Sequence, residues 1–126
     1  MIATSTIVPL LVFEAANCLM AVVASEIAHL EGSDPLFTKN ESRTAFDLGE
    51  YFGELESDGP WLRWGRGPRT AWLRVRRVVD VVPVALSGLT RMPPRLRGQG
   101  LTRAFLAAGI RGNDVFLLLD PARLRP

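Results

Sequence analysis

The stretch RVRRVVDVVPV, Arg74 to Val84, sets six valines among three arginines and one aspartate. Branching at Cβ crowds a helix but suits a pleated strand, and no capping residue precedes the run. Leu73 and Val75 alternate with Arg74 and Arg76 at period two, and the doubled Arg76–Arg77 breaks the alternation as a β-bulge would. Val75, Val78, Val79 and Val82 also satisfy helical spacing. The density of β-branched side chains favours a strand, ended by Pro83 and lying against the first half of the chain.

The flanking segments supply companions for it. Ile7 to Phe13 and Cys18 to Val23 are apolar runs divided at Asn17, which reads as a hairpin. Pro9 places the first run near an edge, or limits its ladder to later residues. Ser25 to Leu30 reads as a short helix with Ser25 as N-cap and Ile27 and Leu30 on one side. Glu31 to Arg43 is polar and broken by Gly32, Pro35 and Asn40, so it reads as a connection.

In TAFDLGEYFG an apolar run ends at Asp47, with Glu50 at the spacing of a capping box. A strand is expected to enter one helical turn that buries Leu48, Tyr51 and Phe52 and stops at Gly53. Glu54 to Arg69 marks a lobe boundary. After Pro83, ALSGLTRMPPRLRG is rich in turns, with extended backbone at Pro93–Pro94. Leu101 to Ile110 suits helix or strand, and the hairpin signal after it favours strand. Gly112 to Asp114 forms a turn, Val115 to Leu119 a buried strand, and Asp120–Pro121 the start of a closing helical turn. Both halves thus end on an apolar run, an aspartate and a helical turn.

At 126 residues with 48% apolar and 22% charged composition, the chain is a folded single domain spanning 1–126, with lobes near 10–60 and 69–124. One cysteine, Cys18, excludes an internal disulfide and a thiolate metal site, and favours a reducing compartment. The start has no basic n-region, and Pro9 and Glu14 interrupt its apolar run. No run approaches the roughly 18 apolar residues of a membrane span. A cytoplasmic location without membrane insertion is expected.

The net charge of +2 conceals a division. Residues 1–60 hold two basic and ten acidic side chains, a balance of −8; residues 61–126 hold thirteen basic and three acidic, a balance of +10. Such asymmetry marks a polyanion-binding half, two lobes that attract each other, or a surface steered toward a charged protein.

Catalytic groups are scarce. His29 is the single histidine; Ser25 four residues before it permits a contact on a helix, but no nucleophile elbow or third group accompanies them. A small enzyme with a site near His29 is therefore a minor alternative. No second histidine or cysteine completes a metal site, and no cofactor is implied. Asp47 and Asp120 read as helix caps rather than an acid–base pair. GRGPR, Gly65 to Arg69, lacks the lysine and spacing of a phosphate loop. Trp61, Trp64 and Trp72 interleaved with arginines over residues 61–77 raise nucleic-acid binding as an alternative; no nucleic-acid module surrounds them, and none is expected to bind.

The order of pieces LLVFEAANCLMAVVASEIAHL, TAFDLGEYFG, TAWLRVRRVVDVVPV, MPPRLRG and GIRGNDVFLLLDPARL resembles the CheW-like family of chemosensory coupling proteins, over about Leu10 to Leu124. The resemblance implies a mainly β fold: two small five-stranded, SH3-like β-barrel subdomains packed side by side, with short helical turns. It implies a non-enzymatic adaptor that binds a CheA-type histidine kinase, a methyl-accepting chemoreceptor, or both. Family members meet the kinase with an edge and end of one barrel and the receptor with an apolar groove between barrels. On that basis Ile27 and Leu30 match the groove-side segment, Val79 and Asp80 match the valine–aspartate pattern of a second-barrel strand, and Val81 and Val82 are candidates for groove or core. The chain departs from the family before Asp47, where a glycine–asparagine–arginine–glycine pattern is usual. Lys39 takes the arginine position, Asn40 the glycine position and Thr44 the proline position. The first lobe looks shortened, and the expected consequence is a specialised member that engages one partner and misses another.

Overall fold

The computed structural model describes residues 6–91 and 103–125. Its strands are β1 (Ile7–Ala15), β2 (Cys18–Val23), β3 (Ile27–Glu31), β4 (Ala45–Asp47), β5 (Trp61–Arg66), β6 (Arg69–Arg74), β7 (Arg77–Ala85), β8 (Thr90–Arg91), β9 (Phe105–Arg111) and β10 (Asp114–Leu119). Among the described residues helix is confined to single turns, α1 (Lys39–Ser42), α2 (Leu48–Tyr51) and short 3₁₀ segments. No helix among the described residues is long and apolar enough to cross a membrane.

Two hairpins organise the chain. β1 and β2 pair antiparallel through Ala16–Asn17, whose φ of 50° and 61° gives the doubly left-handed turn that suits strand twist. β5 and β6 pair through Gly67–Pro68, with Arg66 opposite Arg69. Each hairpin then hands its next strand to the other sheet. β3, following β2, pairs with β5; β7, following β6, pairs with β1. The sheet orders are β7-β1-β2-β10-β9-β8 and β3-β5-β6-β4.

The shared ending of the two halves has a structural counterpart. β4 and β10 both end at a capping aspartate, and each lies parallel to the second strand of a hairpin, β6 and β2 respectively. Asp47 accepts from the Glu50 N–H and Asp120 from the Ala122 N–H, so both serve the capping role expected of them.

The exchange of strands explains why β1 and β2 read as unbroken apolar runs. Leu11, Phe13, Ala15, Met20 and Val22 enter a joint core with Phe46, Leu62, Ala71 and Leu73 of the smaller sheet. The opposite face, Leu10, Val12 and Ala21, packs on Ala107, Phe116 and Leu118 of the larger sheet's other strands. Burial on both faces removes the polar half of the usual alternation. Each valine, leucine, phenylalanine or methionine among them contributes about 1.5–3 kcal/mol on leaving water, and each alanine less.

Several expectations are corrected. The sheets do not divide the chain at 60–69: the larger takes strands from residues 7–23 and 77–119, the smaller from residues 27–74. Ser25 to Leu30 is no helix. Ala24–Glu26 is a 3₁₀ turn without a side-chain cap, and Ile27 already belongs to β3; six residues gain more from a ladder with β5 than from one helical turn. The Arg76–Arg77 break is the crossing between sheets, where the Val75 N–H bonds to the Pro60 carbonyl and the Arg76 N–H to the Glu14 carbonyl. A bulge lies two residues on: pairing jumps from Val12–Asp80 to Phe13–Val78, leaving Val79 as the extra residue.

Pro83 does not end its strand. It pairs with Pro9, and β7 runs on to Ala85. Two facing prolines fit an antiparallel ladder at a non-hydrogen-bonded position, where their nitrogens point away from each other. The Pro83 nitrogen then faces the sheet edge, and that of Pro9 faces β2, whose ladder starts one residue later at Leu10–Val23. The segment of residues 101–110 is a strand from Phe105. The expectation for Pro93–Pro94 falls outside the described residues.

Candidate functional site

Where the tip of the β5–β6 hairpin meets the turn after β10, the two sheets leave a groove of about 640 Å³. Val23, Trp64, Leu106 and Leu118 line it with apolar surface, and Ser25 and Glu26 of the first crossing close one side. Arg66 and Arg69 stand at the hairpin tip as cross-strand neighbours. A second hollow of about 410 Å³ continues past Trp64 and Arg69 to Phe46, Leu124 and Arg125. Asp120 borders the first hollow, but its carboxylate caps Ala122 and lies 3.4 Å from Arg123. Neither the Arg66 nor the Arg69 guanidinium makes an ion pair or side-chain hydrogen bond among the described residues. Like charges directly opposite each other repel, so the groove holds unspent positive charge beside apolar lining.

The tryptophan–arginine stretch is built differently from a base-stacking platform. Trp61 and Trp72 are buried on the outer face of the smaller sheet. The segment between β3 and β4 lies over them. Phe37 meets both indoles edge-on at 5.0 and 5.7 Å, and the indole N–H groups donate to Asp34 at 3.0 Å and Glu41 at 2.9 Å. Arg74 pairs with Asp34 and Glu56, and Arg77 forms a two-pronged pair with Glu14 at 2.8 Å in each arm. The acidic first half and basic second half are thus partly matched within the molecule. Two of the three rings needed for stacking on bases are occupied by this cover.

Glu41 is held below its ordinary value by the Trp72 N–H and then by Thr38. Thr38 and Glu41 exchange side-chain and backbone hydrogen bonds of 3.1 and 3.2 Å, a capping box for α1. The T-x-x-E spacing at 38–41 is the sequence signal that identifies this turn. Lys39 stands exposed at its start.

The five residues expected to contact partners fall into separate environments. Leu30 is 51% exposed on β3, the outer strand of the smaller sheet, and Val81 is 52% exposed on β7. Ile27 is half-buried against the joint core. Val79 and Val82 are half-buried against the core of the larger sheet. None of the five lines the groove, which Ser25 and Glu26 reach instead. The groove's arginines come from a tip that the sequence presents as a linker. His29 hydrogen-bonds Glu31 at 2.9 Å and meets the Trp72 ring edge-on; Ser25 sits apart from it in the 3₁₀ turn.

No protein-family model matches the chain, and no curated protein does. Among solved structures it is similar to the scaffolding protein TtCheW from Thermoanaerobacter tengcongensis. The TM-score is 0.69 at 15% identity, over 91% of this chain and 90% of that one. The chain therefore has a CheW-like fold, mainly β and in two sheets, as the order of its sequence pieces implied.

Proposed function

We propose that this protein is a non-enzymatic, cytoplasmic adaptor of a bacterial chemosensory system, binding a CheA-type histidine kinase, a methyl-accepting chemoreceptor, or both. The observation that carries the reading is the likeness of fold to a scaffolding protein over nine-tenths of both chains. The chemistry of the surface supports it. Asp47 and Asp120 are engaged in capping, His29 is bound to Glu31, and among the described residues the surface left open includes a groove of mixed apolar and basic lining and exposed aliphatic side chains. Such features serve association, where a few apolar contacts and a charged rim carry most of the energy.

Leu30 and Val81, being exposed, are the members of the expected set open to a partner without rearrangement. Ile27, Val79 and Val82 act by shaping the strands beneath them. The cover over Trp61 and Trp72 occupies the shortened segment, which fits a specialised member that keeps one partner surface. Titration of the purified chain against the regulatory domain of a cognate kinase, and separately against a receptor tip, tests the reading. Saturable binding to either is expected, and no binding to both at about 100 μM, within the range of transient association, ends it.

A further inference from the structure

The outer face of the smaller sheet is a checkerboard of rings and cations. Trp61 and Arg63 stand two apart on β5, Trp72 and Arg74 two apart on β6, and the ladder sets Trp61 opposite Arg74 and Arg63 opposite Trp72. The Arg74 guanidinium lies 5.8 Å from the centre of the Trp61 ring, within cation–π range. Such a face complements a ligand that carries an aromatic ring between negative charges.

The chain supplies one itself. In DPLFTKNE, Asp34 to Glu41, a single ring stands between two carboxylates. Phe37 meets both indoles edge-on, while Asp34 and Glu41 accept their N–H groups. The hold rests on these three side chains. Among the described residues no backbone hydrogen bond joins residues 32–37 to the sheet, Leu36 stands wholly in water and the Asp34 side chain is 73% exposed. Nor does the segment satisfy all that it covers. The Arg63 Nε is buried without a hydrogen-bond partner among the described residues, a cost to the closed state that an acceptor on a better-fitting ligand would remove.

We propose that the Trp61–Arg63–Trp72–Arg74 face is a docking surface for a partner segment that carries an aromatic side chain between two carboxylates, and that residues 34–41 occupy it as a built-in competitor. The partner's ring replaces Phe37 against the indoles, its carboxylates take the indole N–H groups and Arg74, and a further acceptor reaches Arg63. A tethered competitor acts at about millimolar effective concentration, so only a ligand with more contacts displaces it. This surface shares no residue with the groove at the β5–β6 tip, and its test needs neither kinase nor receptor.

Two measurements on the full chain decide it. In the wild type, the Trp61 and Trp72 indole N–H groups should be protected from hydrogen exchange at least about tenfold less than the backbone amides tying β5 to β6, because the segment lifts while the ladder stays closed. Indole exchange only through global unfolding overturns the proposal. In Phe37→Ala/Glu41→Gln both indole resonances should shift, and the peptide GSDPLFTKNES, the chain's own residues 32–42, should return them toward their wild-type positions, saturating below about 1 mM. The wild type should bind this peptide at least about tenfold more weakly, since its own segment competes. Should the double variant fail to fold, Phe37→Ala alone takes its place. An opened variant that ignores the peptide, or that binds the peptide equally well with Phe37→Ala in it, overturns the proposal. So does tighter binding of a single-stranded oligonucleotide, which would make the face a polyanion surface.

Discussion

Gly59 lies against the backbone of Arg76 so closely that a β-carbon would overlap the carbonyl oxygens of both Val75 and Arg76. Those two residues carry the chain from one sheet to the other, with the Val75 side chain fully buried. The overlap is with backbone at a crossing already tied to Pro60 and Glu14, so it cannot be relieved by a rotamer change. Gly59→Ala should cost about 1–3 kcal/mol in urea unfolding. Gly32→Ala, where nothing lies within 4 Å, should fall within about 0.5 kcal/mol of wild type. Equal effects would mean that the crossing tolerates displacement.

The capping aspartates should separate by what else they hold. Asp120 caps Ala122 and pairs with Arg123 at the surface, so Asp120→Ala should cost about 1 kcal/mol. Asp47 caps Glu50 and also accepts the Ser57 N–H with both oxygens, fixing the loop that carries Leu55. Asp47→Ala should cost about 2–3 kcal/mol, the cap plus a charge-assisted bond, and should raise hydrogen exchange at Ser57. Exchange there at the wild-type rate would remove Asp47 as the anchor.

Legibility in the sequence followed the range of the interaction involved. The β1–β2 and β9–β10 hairpins, the two aspartate-capped turns and the strand character of the valine run follow from residues close in sequence, and each is present, whereas the β5–β6 hairpin lies where the sequence reads as a boundary between lobes. The strand exchange does not follow, because it rests on pairing across more than sixty positions, such as Leu11 with Val81. Pro83 reads as a terminator until its register with Pro9 makes it harmless. Trp61 and Trp72 with adjacent arginines suggest a stacking surface; only the fold brings Phe37, Asp34 and Glu41 over them. Arg66 and Arg69 become neighbours of Leu106 and Asp120 only once the sheets are assembled.

Acid should weaken two specific fastenings. Glu14 is held below its ordinary value of 4.5 first by its hydrogen bond from Arg77, and Glu41 first by that from Trp72. A carboxylate whose value is depressed on folding contributes fully above about pH 4.5 and loses that contribution as pH falls through the folded value. Wild type should therefore be more stable than Glu14→Gln or Glu41→Gln at neutral pH, with the difference closing below about pH 4.5. Melting temperatures compared from pH 7 down to pH 3 check this. A difference that stays constant across the range would assign both residues a role independent of charge.

Charged substitutions along β7 should divide partner contact from core. Val81 is half in water, and its neighbour Val82 packs against the core that includes Phe116 and Leu118. Val82→Asp puts an unpaired carboxylate against that core and should cost about 2–5 kcal/mol, comparable to truncating a buried aliphatic side chain. Val81→Asp should leave unfolding within about 0.5 kcal/mol of wild type and, together with Leu30→Asp, weaken binding to the receptor tip or kinase domain. Retained stability with unchanged affinity would remove the exposed aliphatics of β3 and β7 from the partner surface. It would turn the search for a docking place to the groove at the β5–β6 tip.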